Sequence, residues 1–138
     1  SPAALQQALA HNAMLSKSSL NAKELEAINL AVSEATGCDY CLAAHTLMAK
    51  KAGFSGEQIH ALRRGEYTED ARLDALVKFA QTLVTTTGTL PEADVAALRH
   101  AGFSDQQVIE IVSAVSAILF TNMVNRVNDT VVDFPKAD

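Results

Sequence analysis

The sequence predicts an all-α protein, a single domain of six or seven helices that spans residues 1–138. Helix-capping signals recur along the chain, and no segment shows the sustained apolar/polar alternation of a strand. Aromatic residues make up only 5% of the chain and tryptophan is absent, while alanine, leucine and valine abound, which favours packed helices. A chain of 138 residues that is 49% hydrophobic can bury a core without a disulfide or metal staple.

Most predicted helices begin at a capping or proline signal, and most end at a glycine. Three N-termini carry the capping-box pattern, namely Asn21-x-x-Glu24, Ser55-x-x-Gln58 and Ser104-x-x-Gln107. Pro91 is predicted at a first helical position, where its missing N–H costs nothing. In chain order, the predicted helices run from Pro2 to His11, from Asn21 to Gly37, from near Cys38 to Gly53, from Ser55 to Gly65, from Thr68 to Gly88, from Pro91 to Gly102 and from Ser104 to about Thr130.

Charge and hydropathy argue against several classes of partner. The net charge is −5 and no block of lysine or arginine exceeds two residues, so we expect neither a nucleic-acid nor a membrane partner. The longest apolar stretch, Ile111 to Phe120, is too short to span a bilayer. We find no basic-then-apolar leader and only two cysteines, so we expect a cytoplasmic protein.

The last predicted helix is apolar nearly all round from Val108 to Val124. A helix with no polar face must be buried on every side. In so small a domain, we expect one face to pack internally and the other to meet a second subunit of a homo-oligomer. The alternative is a central core helix in a monomer.

Cys38, Cys41 and His45 form the constellation that indicates chemistry. Their spacing of three and four residues places them on one face of a helix, with the two sulfurs within reach of a disulfide. Gly37 places Cys38 in the first helical turn, where backbone N–H groups stabilise a thiolate. His45, one turn after Cys41, can stabilise or generate the Cys41 thiolate.

Other interpretations of this constellation stay open. The cysteines could be small core residues, or they could join His45 and one carboxylate in a zinc or iron site. A thioredoxin-type site would need a βαβ context that the sequence lacks. For His11, His60 and His100 we expect only structural or surface positions.

The pattern Glu-x11-Cys-x-x-Cys-x3-His, with a Lys23-Glu24-Leu25-Glu26 helix before it and an Ala-Gly-Phe-Ser turn after it, resembles the carboxymuconolactone decarboxylase-like superfamily. Within it, the chain is similar to the alkylhydroperoxidase D (AhpD)-like branch. The likeness extends through the second Ala-Gly-Phe-Ser turn to the stretch with Asn122, Asn125 and Arg126. It implies an AhpD-like helical bundle that forms homo-oligomers, often trimers or hexamers, and a thiol-dependent peroxidase.

The resemblance also implies residue roles. Cys41 would be the peroxidatic cysteine and Cys38 the resolving one, with His45 and Glu26 as the proton relay. Glu26 lies at the family interval, twelve residues before Cys38, whereas Glu34 lies only four before it. Periodicity alone would not select Glu26 and favours a solvated side chain at that position.

One departure from the family pattern lies between the cysteines. The best-known member of the branch has Ser-His there, whereas this chain has Asp39-Tyr40. Tyr40 can form hydrogen bonds but cannot act as a base near neutral pH.

We therefore expect an enzyme that reduces organic hydroperoxides or hydrogen peroxide through a dithiol–disulfide cycle between Cys38 and Cys41. An external dithiol would supply the electrons, and no metal, flavin or haem would be needed. The first alternative is a redox sensor or adaptor that uses the same dithiol without turnover. The second is a lactone decarboxylase-type enzyme with redox-silent cysteines.

Overall fold

The computed structural model describes residues 1–138 and contains seven α-helices and no strand, which confirms the predicted all-α class. The helices are α1 (Pro2–Leu15), α2 (Ala22–Thr36), α3 (Asp39–Lys51), α4 (Gly56–Arg64), α5 (Ala71–Thr85), α6 (Glu92–His100) and α7 (Asp105–Asn128).

The predicted caps form, because each depends on residues only a few positions apart. The backbone N–H of Glu24 donates to Asn21 Oδ1 at 2.9 Å, and the Asn21 N–H donates back to the Glu24 carboxylate at 3.0 Å. The boxes at the starts of α4 and α7 form in the same way. Gly37 ends α2 with φ +69°, a left-handed conformation that glycine adopts without steric cost. The chain therefore turns sharply there and enters α3 at Cys38.

Several predicted boundaries are wrong by a few residues, and one of them is the end of α5, at Thr85 rather than at Gly88. α1 continues to Leu15 rather than stopping at His11, since no glycine or proline interrupts it there. α5 begins after Asp70 rather than Thr68, because the Asp70 carboxylate accepts the backbone N–H groups of the first turn. Pro91 lies just outside α6 rather than at its first helical position.

α2 is the central helix and packs against α3, α4, α5 and α7. Its residues Ile28 and Val32 on one side of the helix and Leu30 on the opposite side are all completely buried. Burying such a side chain stabilises the fold by about 1.5–3 kcal/mol. The C-terminal end of α2, and with it the turn into α3, is therefore held firmly inside the bundle.

α7 is buried on one side only. Its inner face contributes Ile111, Val115 and Ile118 to the core, whereas large apolar residues on the outer side are exposed. These are Ile109, Val112, Phe120, Met123, Val124 and Val127. One face of α7 thus packs internally as expected, and the alternative of a central core helix buried on all sides within a monomer is wrong. By length and composition α7 could also cross a membrane, but a core helix passes the same test.

Candidate active site

The two cysteines lie at the start of α3 and are joined by a disulfide, with their Cα atoms 5.3 Å apart. Cys38 is the N-cap residue and Cys41 belongs to the first helical turn. The backbone N–H of Cys41 donates to Cys38 Sγ at 3.3 Å. Both residues are almost completely buried, with exposures of 1% and 2%. The predicted position of the pair at a helix N-terminus is confirmed.

His45 lies on α3 one turn after Cys41 and forms a hydrogen bond to Glu26 on α2. The His45 Nδ1–H donates to Glu26 Oε2 at 2.8 Å. The two side chains are only 16% and 12% exposed, so solvent screens the contact weakly. A carboxylate on Nδ1 orients the imidazole and leaves Nε2 available for proton transfer. The solvated position that periodicity alone favours for Glu26 is wrong, since α2 carries this side chain into the α3 interface.

The other two carboxylates of α2 have different partners. Glu34 pairs with Arg63 Nε at 2.6 Å and is 40% exposed. Glu24 is buried and pairs with Arg72 Nε at 2.7 Å, besides closing the capping box. Glu26 is therefore the α2 carboxylate bonded to the histidine of the motif.

α7 brings to this region two asparagines, Asn122 and Asn125, which belong to the family likeness but to which the sequence assigns no role. Asn125 Nδ2 lies 3.4 Å from Cys41 Sγ and 3.1 Å from the carbonyl oxygen of Thr121. Asn122 is completely buried, donates to Ser33 Oγ at 3.1 Å and accepts from Thr36 Oγ1 at 2.9 Å. Sequence spacing could not link Asn125 to Cys41, which is 84 positions away.

Two cavities border the motif. The first, which we call the His45 cavity, measures about 340 Å³ and has His45 and Glu26 in walls that are otherwise partly apolar, including Leu25 and Met48. The second, the Cys38 cavity, measures about 260 Å³ and is mostly polar, with Cys38 in its wall. Cys41 lines neither cavity.

Tyr40, the residue between the cysteines, also lines the Cys38 cavity. Its ring meets the Phe134 ring edge-to-face at 5.5 Å between centroids. Phe134 belongs to the segment after α7, which runs back toward α3, where Val132 and Lys136 line a further cavity with Asp39. Tyr40 thus packs against this segment instead of pointing to the His45–Glu26 pair.

The remaining candidates occupy structural positions. His11 Nε2 lies 2.9 Å from Ser113 Oγ and joins α1 to α7. His100 Nδ1 donates to the carbonyl of Ala96 within its own helix, and His60 is half-buried on α4. No group of three or more histidine, cysteine, aspartate or glutamate side chains is arranged to hold a metal ion.

The sequence model of the carboxymuconolactone decarboxylase family matches residues 2–82, which is more than half of the chain. The chain belongs to this family. The matched part of the chain contains α1 to α4 and nearly all of α5. It therefore includes Glu26, Cys38, Cys41 and His45. A search of curated protein sequences found no significant match.

Solved structures share the fold over almost the whole chain. One is a protein of unknown function from Agrobacterium tumefaciens, with a suggested role as the antioxidant defence protein AhpD. Its TM-score is 0.88 at 22% identity, over 98% of this chain and 94% of that one. Another is a peroxidase-related protein from Ralstonia eutropha JMP134, described as an alkylhydroperoxidase AhpD core. Its TM-score is 0.81 at 24% identity, over 91% of this chain and 68% of that one.

A third similar structure is a cysteine-to-alanine variant of the debrominase Bmp8 in complex with 2,3,4-tribromopyrrole. Its TM-score is 0.78 at 18% identity, over 90% of this chain and 67% of that one. At these identities the three likenesses establish a common fold, and they confirm the predicted AhpD-like bundle.

Proposed function

We propose that the protein is a thiol-dependent peroxidase that reduces organic hydroperoxides or hydrogen peroxide with the Cys38/Cys41 dithiol. The observation that carries the proposal is the disulfide at the start of α3, followed one turn later by a histidine hydrogen-bonded to a buried carboxylate. Membership of the family and the AhpD-like fold support a peroxidase-related role.

In the first proposed step, the Cys41 thiolate attacks the terminal oxygen of the peroxide. The O–O bond breaks, Cys41 becomes a sulfenic acid, and the departing alkoxide receives a proton from His45 Nε2 and leaves as the alcohol. Glu26 holds the imidazole through Nδ1 and stabilises its charged form. We expect the peroxide to approach from the side of the His45 cavity, because the wall of that cavity holds the proton donor His45, although it does not include Cys41.

In the second step, the Cys38 thiol attacks the Cys41 sulfenic sulfur, water leaves, and the disulfide seen in the structure forms. The protein has now passed two electrons to the peroxide and needs an external dithiol to return to the reduced state. Such a cycle suits the reducing conditions of the cytoplasm and requires no metal or organic cofactor.

We further propose that the protein works as a homo-oligomer, a trimer or a hexamer, with α7 at the interface. The outer side of α7 exposes 69% of Ile109, 47% of Met123 and 37% of Phe120. A row of large apolar residues of this kind favours burial against a second copy.

A turnover assay tests the proposed activity against its alternatives. The oxidised protein is mixed with excess dithiothreitol or dihydrolipoate and then with hydrogen peroxide or cumene hydroperoxide, and the peroxide consumed per protein is counted. Many turnovers that vanish in Cys41→Ser support the peroxidase. Consumption that stops after one equivalent would indicate a sensor instead. Lactone decarboxylation that survives replacement of both cysteines would indicate the decarboxylase.

A further inference from the structure

We propose that Asn125 is a catalytic residue that stabilises the sulfur of Cys41 as a thiolate, the leaving group formed when a reducing thiol attacks Cys38 from the Cys38 cavity. This inference rests on the proposed dithiol cycle and states which of the two sulfurs the reducing thiol attacks when the disulfide is reduced. It starts from one contact, in which Asn125 Nδ2 lies 3.4 Å from Cys41 Sγ.

The orientation of the Asn125 amide follows from its second contact. Nδ2 also lies 3.1 Å from the Thr121 carbonyl oxygen, which can only accept a hydrogen bond. The NH₂ group, and not the amide oxygen, must therefore occupy this position. One of its hydrogens is directed to Thr121 and the other is available to the sulfur.

The asparagine is also held in place by its helix. One turn earlier on α7, the completely buried Asn122 joins Ser33 and Thr36 of α2 through hydrogen bonds of 3.1 and 2.9 Å. Because α2 leads directly into the turn that carries Cys38, these bonds fix α7 relative to the dithiol. The Asn125 donor is thus preorganised and needs little rearrangement when charge develops on the sulfur.

The two sulfurs differ in what surrounds them. Cys38 is only 1% exposed, but it lines the Cys38 cavity together with Asn125, so a thiol in this cavity meets Cys38 and not Cys41. Cys41 lines neither cavity, and its sulfur receives the Asn125 donor. Cys38 Sγ accepts a hydrogen bond from the backbone N–H of Cys41 at 3.3 Å, so each sulfur has one hydrogen-bond donor. Of the two cysteines, only Cys38 borders a cavity.

The reduction then proceeds in a defined order. A thiolate of the external dithiol attacks Cys38 Sγ and forms a mixed disulfide, while the bond to Cys41 breaks and its electron pair stays on Cys41 Sγ. Asn125 stabilises this leaving thiolate. The second thiol of the donor then attacks the donor sulfur of the mixed disulfide. Cys38 is released as a thiolate and the donor leaves as a disulfide, so two electrons pass from the donor to the protein.

Thiolate formation on Cys41 is the first measurement. In the Cys38→Ser background, the thiolate absorbance at 240 nm is followed against pH with asparagine, leucine or aspartate at position 125. We expect Asn125→Leu to raise the midpoint of thiolate formation by about one pH unit and to slow iodoacetamide alkylation near neutral pH about tenfold. Asn125→Asp should raise the midpoint at least as far, because a carboxylate next to the sulfur disfavours the thiolate. This variant keeps a polar side chain at position 125 and therefore serves as the test if leucine disturbs folding.

The site of attack is the second measurement. The oxidised protein is treated with 2-mercaptoethanol, the released thiol is alkylated with iodoacetamide, and peptides are mapped by mass spectrometry. We expect the mixed disulfide on Cys38 and the alkyl group on Cys41, with slower exchange in Asn125→Leu. The matched control is Asn128→Leu, one turn further along α7, where Asn128 contacts Thr130. This control should behave as the wild type in both measurements.

An unchanged midpoint in both Asn125 variants, an equal shift in Asn128→Leu, or a mixed disulfide on Cys41 in the wild type would overturn the inference. Neither measurement uses a peroxide. A protein that shows the expected midpoint and attack site but consumes no peroxide would therefore refute the proposed peroxidase and leave the role of Asn125 intact.

Discussion

Replacing Glu26 with glutamine separates a proton relay from a merely structural hydrogen bond. The glutamine has nearly the same shape and retains one acceptor oxygen for the His45 Nδ1–H, now 2.8 Å from the carboxylate. The substitution removes the negative charge of Glu26 from its contact with His45, in which both side chains are more than four-fifths buried. The variant should therefore fold normally but stabilise a charged imidazole less well.

The size of the rate loss in Glu26→Gln distinguishes a Glu26 that only orients His45 from one that takes part in proton transfer. A hydrogen bond to a charged group contributes about 1–2 kcal/mol more than a neutral one, which corresponds to a rate loss of about fivefold to thirtyfold if Glu26 only orients His45. Losing a positioned acid–base partner costs about 10²–10⁴-fold. We expect Glu26→Gln to slow the oxidation of Cys41 by at least about 10²-fold.

The assay must report the thiol directly, because the chain has no tryptophan to give a fluorescence signal. Reduced protein is mixed with cumene hydroperoxide, quenched with acid at increasing times, and the remaining thiols are titrated. Glu34→Gln is the matched control, since Glu34 lies on the same helix but pairs with Arg63 and is 40% exposed. We expect it to react as the wild type.

Glu26 is not the proton relay if Glu26→Gln and Glu34→Gln slow oxidation equally, or if neither variant slows it. Circular dichroism and a thermal melt of each variant check that the fold is intact. A loss of about tenfold in Glu26→Gln alone would reduce Glu26 to an orienting role.

Three further predictions concern the dithiol, the acid stability and the assembly. Cys38→Ser should leave a dimedone-reactive sulfenic acid on Cys41 after peroxide treatment, whereas Cys41→Ser should lose peroxide consumption; equal dimedone labelling of the two variants would reject these roles. Hydrogen bonds from Ser19 and Gln106 lower the pKa of Glu110 below its ordinary 4.5, so Glu110 stabilises the fold above that pH and loses the contribution as the pH falls through the lowered pKa. Ser19→Ala should thus lower Tm near neutral pH but not in strong acid, and a pH-independent difference would contradict this. Phe120→Asp on the outer side of α7 should convert the oligomer to monomers in sedimentation velocity, and a wild type that sediments as a monomer would refute the assembly.

Much of the fold could be predicted because its boundaries depend on local chemistry. The capping boxes at Asn21, Ser55 and Ser104 connect residues three positions apart, and a left-handed glycine ends α2 within the same short segment. Such signals can be read from any single stretch of sequence. The error at Thr68 is also local, since the nearby Asp70 side chain offered a competing cap. The error at Pro91 is a single residue, at a helix start that no side chain caps.

The sequence by itself determined that two cysteines open a helix with His45 one turn beyond, because helical spacing places them so. Only the tertiary structure decided what surrounds them. Glu26 reaches His45 because α2 and α3 pack together, and Asn125 reaches Cys41 because α7 crosses the start of α3 from 84 residues away. Burial of apolar residues brings these helices together, and this driving force has no direction. The sequence spacing of polar residues therefore does not show which of them the packing brings into contact.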